Sequence, residues 1–386
     1  MFTDSWLPTM DGCVATILKF RDGLEKRGHK VFIFAPEDPA GKVQEDDSTF
    51  LFKATEYKMY PGYRLAIPMS KRKDRLIKEH DIDMLHNHGV AFMALKGMFS
   101  SRFMDLPILT HFHTWVTEAT QYYPINLGDD LMETLSWRYL RSLCRRSDGV
   151  AAPSKTAIEE LRQKVPGMPY SDWVSPGIDR EMFNPNISGA NIRQRYGLQD
   201  QELLLHVGRV SKEKNLELIF KALPMVKKQR PKAKLMIVGS GPAKPHYVDL
   251  VKQMGLEDDV IFTGFVPDEE LPMHYAACDT FVLASKFETL GIVMTEALAM
   301  GKPVAGINFR VVPEVIQDGY NGILFKDEPR DCASKILACL DAPDEMGRNA
   351  IASASRFDTD DCMKKLEDIY KNTNEIHLAR GRGEIK

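Results

Sequence analysis

The chain has 386 residues, 44% hydrophobic and 27% charged, and 51 Lys plus Arg against 54 Asp plus Glu leave a formal net charge of -3. That composition excludes disorder, collagen-like repetition and a disulfide-stapled mini-fold, and its length predicts two packed domains. Near-neutral charge speaks against a dedicated nucleic-acid binder, and no apolar run nears the ~20 residues that span a bilayer.

The chain opens on polar Thr3, Asp4 and Ser5, which is no secretory signal. Only Phe2 and Thr3 precede the first turn, against roughly 5–6 residues in an ordinary strand, so the native start is expected upstream of Met1. A Pro8-to-Gly12 turn leads into a helix from Cys13 to Lys26, closed by Gly28. Strands are expected at 31–34, 84–86, 107–110 and 149–152, with helices between them. Short apolar runs bounded by turns and separated by helices predict a parallel sheet covered on both faces. The pattern breaks at Val174-Ser175-Pro176-Gly177, and a second series follows: strands at 203–207, 235–238, 260–263, 280–284 and 303–305, and helices at 216–228 and 292–300. An amphipathic helix over 357–372 and a loose polar tail to Lys386 finish the chain. The expected architecture is α/β, with two Rossmann-like doubly wound domains at 1–175 and 176–356 and a terminal segment at 357–386. The six cysteines form no CxxC pair and are read as mostly buried thiols in a reducing cytoplasm.

In open α/β sheets, ligands bind beyond the carboxyl ends of the strands. In the second series those ends carry Gly208-Arg209 with Lys214, Gly239-Ser240-Gly241, Gly264-Phe265-Val266, and Glu288-Thr289-Leu290-Gly291. Arg209 and Lys214 are two cations beside a glycine that lets backbone approach, and Gly291 opens a helix whose free N–H groups favour an anion. Each alone is an ordinary surface feature; together they describe a diphosphate site that needs no metal. Glu288 and Glu296, eight apart, offer acceptor-only groups suited to sugar or ribose hydroxyls. Phosphate donors beside diol acceptors describe a nucleotide-sugar pocket.

The run from Lys286 to Val304 resembles the E-x7-E signature of the retaining family-four glycosyltransferases, and Pro176-Gly177-Ile178-Asp179, Gly208-Arg209 with Lys214, and Gly239-Ser240-Gly241-Pro242 stand in that family's order. The resemblance implies the GT-B architecture, two Rossmann-like domains facing across a cleft, with the last helix returning to the first. It implies that Arg209 and Lys214 bind the donor diphosphate at Gly208, Gly239 and Gly241. Glu288 and the backbone of Leu290, Gly291 and Ile292 would contact donor sugar and phosphates, Glu296 the ribose, and main chain near Val266 the base. Gly12 matches a first-domain glycine loop, with Asp11 in place of a second glycine. His113 matches a histidine near the anomeric centre, where neutral imidazole would meet the sugar's 6-hydroxyl.

His86 and His88 form a second His-x-His pair, and four histidines at neighbouring strand ends are a conceivable zinc set. No acidic ligand motif accompanies them, so a metal centre is set aside. Asp81-Ile82-Asp83 precedes its strand and Asp358-Thr359-Asp360 reads as a helix cap, so neither D-x-D match is expected to hold Mg²⁺. No cofactor is expected.

A helix from Leu131 to Arg146 places Leu135, Leu140 and Leu143 on one face and Arg138, Arg141 and Arg145 on another. Lys71–Lys78 forms a second basic cluster, and both clusters are candidates for an anionic membrane surface. Residues 60–68 and 113–124 are similar to stretches of diacylglycerol glucosyltransferases, which implies a membrane glycerolipid acceptor and a peripheral place on the cytoplasmic membrane face. Trp6, Trp115 and Tyr122 are expected to be exposed and to line the acceptor groove. The reading is a retaining, metal-independent transfer of hexose from a UDP-glucose-like donor to a lipid hydroxyl. A nucleotide-sugar epimerase, a transferase with a soluble sugar acceptor, a metallohydrolase and a non-catalytic sugar-nucleotide-binding module remain as alternatives.

Overall fold

The computed structural model describes the chain apart from residues 57–63, 67–69, 116–128, 343 and 386 and the side chains of 129–132. It comprises two compact units: Met1–Gly177 with Thr359–Lys386, and Ile178–Asp358.

In the first unit the strands are β1 (Ile33–Pro36), β2 (Thr49–Phe52), β3 (Ala54–Glu56), β4 (Arg64–Ala66), β5 (Leu85–Asn87), β6 (Ile108–His111), β7 (Gly149–Ala152) and β8 (Tyr170–Trp173). The helices are α1 (Gly12–Lys26), α2 (Lys71–Glu79), α3 (Phe92–Met104), α4 (Asp129–Arg146) and α5 (Lys155–Lys164). β1, β5, β6 and β7 are buried at every residue; β1 and β7 therefore read as apolar runs, while β5 and β6 carry His86, Asn87, Thr110 and His111 inside. Phe2 pairs in parallel with both Phe34 and Asn87, so the opening residues join β2–β1 to β5–β6–β7–β8. β3 and β4 form a separate antiparallel pair that the sequence pattern does not announce.

The terminal helix, Thr359–Gly381, buries Cys362, Met363, Leu366 and Ile369 against Val14, Ile17, Phe20 and Leu24 of α1. The expected loose tail beyond 372 is corrected, because the helix runs nine residues further. His377 Nδ1 and Arg380 Nη1 reach the two oxygens of Asp148 at 3.2 and 2.8 Å, and Asp148 also accepts the Ile108 N–H at the foot of β6.

The second unit has β9 (Glu202–Val207), β10 (Ala233–Val238), β11 (Val260–Gly264), β12 (Thr280–Leu283), β13 (Val304–Ile307) and β14 (Gly322–Phe325). Its helices are α6 (Ala190–Arg195), α7 (Leu216–Gln229), α8 (Lys244–Gln253), α9 (Leu271–Ala277), α10 (Ile292–Ala299), α11 (Val312–Val315), α12 (Pro329–Leu340) and α13 (Asp344–Ala354). The six parallel strands lie in the order β11-β10-β9-β12-β13-β14. The chain winds outward from β9 to β11, then returns to β12 on the other side of β9. That reversal opens a crevice beyond the carboxyl ends of β9 and β12, where doubly wound sheets bind ligands.

Candidate active site

The reversal brings together groups far apart in sequence. β9 ends at Val207, and Gly208 and a 3-10 turn at Lys212–Lys214 follow; β12 leads into the loop carrying Glu288. Lys214 Nζ donates to Glu288 Oε1 at 2.7 Å, with both side chains mostly buried. Burial alone would raise the Glu288 pKa, but the Lys214 charge and hydrogen bond, with help from Ser285, outweigh it and hold the carboxyl below its ordinary value. Arg209 lies half-buried at the same strand end. Gly291 caps α10 at φ 73°, with no side-chain cap among the described residues, and a Cβ there would meet Met294 Cε at 2.7 Å. A glycine is therefore required where Leu290 and Ile292 turn into the helix.

Glu296 is 7% exposed within α10. Tyr275 Oη, from α9, donates to its Oε2 at 2.8 Å, and Phe183 and Phe281 pack on the tyrosine ring. Sequence reasoning missed Tyr275, and nothing in its neighbourhood signals a partner 21 positions away. Gly239 and Gly241 have a structural reason to be glycine: a Cβ would lie 2.0 Å from Gly208 O at the first and 2.4 Å from Val210 O at the second. Val266 is half-buried against the core beside exposed Phe265.

In the first unit, Asp11 accepts from the N–H groups of Cys13 and Val14 and so caps α1. Gly12 opens that helix with nothing within 4 Å of a Cβ position, leaving its backbone approachable. At the neighbouring ends of β5 and β6, His88 Nδ1 and His113 Nε2 are 2.9 Å apart. Burial lowers His113 to about 3, so its ring is neutral at physiological pH. His86, His88 and His111 are buried beside it, all held well below the usual imidazole range by burial.

The expected exposure of two tryptophans is corrected. Trp6 is 2% exposed, packed with the α1 core, and Trp115 is 1% exposed, edge-on to Phe112 at 4.9 Å. Both are large apolar side chains that the sheet has interior room to bury. Tyr122 lies outside the described residues, and of 60–68 only 64–66 lie within them. Asp81 sits in a turn with φ 47° and Asp83 before β5, while Asp358 and Asp360 flank the start of the terminal helix, so neither D-x-D stands at a strand's carboxyl end.

The basic clusters differ. On α2, Arg72 grips Glu45 with two 2.7 Å bonds, Lys73 is buried on Asp74, and Arg75 pairs with Glu79. On α4, Arg138, Arg141, Arg145 and Arg146 with Ser142 and Pro166 line a cavity of about 640 Å³. Arg141 and Arg145 donate to the carbonyls of Lys164 and Pro166, and none of the four arginines has a carboxylate partner among the described residues. Leu135, expected on the apolar face, is 49% exposed beside Tyr139 at 38%.

Two Rossmann-like units, with a Lys–Glu pair and a glycine-opened helix at the switch point of the second, define a glycosyltransferase of the GT-B class. The family model described as glycosyl transferases group 1 matches residues 189–356, and that described as glycosyltransferase family 4 matches residues 10–181. The chain belongs to the family-four glycosyltransferases and is an enzyme. It is 28% identical over 391 residues to alpha-monoglucosyldiacylglycerol synthase of Streptococcus pneumoniae, covering 98% of this chain and 88% of that protein. It is 23% identical over 384 residues to the synthase of that name from Acholeplasma laidlawii, covering 96% of each. Among solved structures, Anabaena HepE in complex with UDP-glucose shares the fold, with a TM-score of 0.77 and 21% identity over 95% of this chain and 97% of that one.

Proposed function

We propose that this enzyme transfers a hexose, with retention, from a nucleoside-diphosphate sugar such as UDP-glucose to a hydroxyl of a membrane glycerolipid. The observation that carries the reading is the 2.7 Å pair between Lys214 and Glu288 at the switch point. A fixed cation and a carboxylate side by side suit the two halves of the donor: the ammonium faces the departing diphosphate and the carboxylate accepts from sugar hydroxyls. Arg209 and the start of α10 at Gly291 add positive potential, so the diphosphate needs no Mg²⁺ or Mn²⁺. Glu296, fixed by Tyr275, holds the ribose. Neutral His113 accepts from or donates to the sugar's 6-hydroxyl.

In the transfer step the acceptor oxygen bonds to the anomeric carbon on the face from which the diphosphate leaves. The C–O bond to the diphosphate breaks, and the acceptor proton passes to a diphosphate oxygen. The likeness to monoglucosyldiacylglycerol synthases supports the lipid acceptor. Among the described residues no helix is long and apolar enough to cross a membrane. Contact with lipid is assigned to the arginine face of α4, at the cytoplasmic surface, because on α2 most of the basic charge is already paired.

The test is transfer from UDP-, GDP- and ADP-glucose to diacylglycerol in mixed vesicles. The expected product is an α-linked glucosyl lipid, formed no faster with added Mg²⁺ or Mn²⁺. Lys214→Ala and Glu288→Ala should each lower kcat by roughly 10²-fold or more with unchanged circular dichroism. Full activity in either variant would sink the assignment.

A further inference from the structure

We propose that His86, His88 and His111 form a buried site for one zinc-class divalent ion. β5 and β6 are neighbouring parallel strands with His86 in register with Leu109, so the chain two residues on sets His88 beside His111. Alternation along β5 turns His86 and His88 to one face. There Phe20 packs against all three rings, with centroids 5.6 to 6.1 Å away. One ring nitrogen from each of the three histidines lies within 4.8 Å of the other two. The side chains are 2%, 2% and 0% exposed.

What needs explaining is the polar accounting. Among the described residues, Nε2 of His86, Nε2 of His88 and both ring nitrogens of His111 are buried without a hydrogen-bond partner. A lone orphan of this kind costs about 1–3 kcal/mol, and several within one buried cluster call for a shared occupant. Two of the rings are already oriented from behind. His86 Nδ1 is 2.8 Å from Tyr370 Oη on the terminal helix, and His88 Nδ1 is 2.9 Å from His113 Nε2. A proton held on each Nδ1 leaves both Nε2 atoms free to ligate, and oriented Nδ1–H groups of this kind are the outer-shell arrangement of metal-bound imidazoles.

The donor set selects the ion. Three neutral imidazoles without carboxylate or thiolate suit Zn²⁺, Co²⁺, Ni²⁺ or Cu²⁺ and not Mg²⁺ or Ca²⁺. Zinc–nitrogen bonds of about 2.0–2.1 Å set tetrahedral nitrogens roughly 3.4 Å apart, so the rings must rotate inward by about an ångström. A fourth position remains for water. Ligation through His88 Nε2 keeps the proton on Nδ1, which donates to His113 Nε2 and fixes the tautomer of His113. The absence of an acidic ligand motif, which argued against zinc in the sequence, is no obstacle to an all-imidazole site. This ion is separate from the diphosphate chemistry, which the proposed reaction carries out with side-chain cations.

The full chain, stripped with chelator and dialysed, is titrated with Zn²⁺ against a chromophoric competitor and separately with Co²⁺. One zinc per chain is expected, with visible cobalt absorption of low-coordinate geometry and a nitrogen-only first shell in X-ray absorption. His88→Asn and His111→Asn should each weaken binding at least 100-fold. Failure of the wild-type chain to bind either ion, a sulfur-containing shell, or equal binding by both folded variants overturns the site. If a variant unfolds, the wild-type stoichiometry and shell still decide. No sugar donor enters these measurements, so a failed transferase assay and a failed metal site are told apart.

Discussion

Glu296 is useful to a diol only if its carboxylate is held in one direction, and Tyr275 supplies that restraint from another helix. Tyr275→Phe keeps the ring packing and deletes one hydrogen bond to a charged group, worth about 1.5–3 kcal/mol. The expected outcome is a donor KM raised roughly tenfold or more with kcat little changed; steady-state kinetics giving the reverse split would overturn the ribose role proposed for Glu296. Beside the Lys–Glu pair, His206 is fully buried, with Nδ1 3.1 Å from Val282 O, and burial lowers it to about 4. Lys214 adds to that lowering while the Val282 carbonyl and Glu288 oppose it. Because the native state binds this proton less readily than the unfolded chain, stability falls as pH drops below about 6.5 and the loss is complete near pH 4. At about 1.4 kcal/mol per unit the cost approaches roughly 3 kcal/mol. Urea unfolding between pH 7.5 and 4.5 should show His206→Gln losing less stability than wild type. An identical loss would place the titration elsewhere.

Elements explain what was legible in the sequence. Buried parallel strands announce themselves as apolar runs, so β7 is legible to the residue and β9–β13 to within two. The E-x7-E spacing marked Glu288 and Glu296 because a loop and the helix it feeds are contiguous in sequence. Invisible were features closed over long separations: the three-residue pair β3–β4, the Tyr275–Glu296 bond, the burial of Trp6 and Trp115, and the helical turns beyond 372 that Asp148 anchors from more than 200 positions away. The glycine loops show the difference between reading a motif and reading its cause. Gly239 sits at φ 132° with backbone 2.0 Å from its missing Cβ, whereas Gly12 has open space. Gly239→Ala should therefore cost the second unit at least about 2 kcal/mol, seen as a lowered melting temperature. Gly12→Ala should melt like wild type and reveal itself only as weaker donor binding. A Gly239→Ala variant of native stability would show that this close approach is not what requires glycine.

Across the whole molecule the charges nearly cancel, and that balance hides how they are distributed. α2 and α4 are both basic, but Arg72, Lys73 and Arg75 are occupied by carboxylates, whereas four arginines on α4 line one cavity with exposed Leu135 and Tyr139 on the same helix. Exposed cations without carboxylate partners keep their attraction for an anionic surface, at about 1 kcal/mol each, and apolar neighbours add burial at the interface. Replacing Arg138, Arg141, Arg145 and Arg146 together by Gln should weaken binding to phosphatidylglycerol-containing vesicles by up to roughly 10³-fold at low salt. The wild-type advantage should shrink as salt shortens the Debye length. Neutralising Lys71, Arg72, Arg75 and Lys78 should cost much less, since part of that charge is already spent within the fold. Flotation of both variants against vesicles with and without anionic lipid separates the cases. Greater loss from α2 than from α4 would mean that unpaired charge is not what selects the membrane-facing helix.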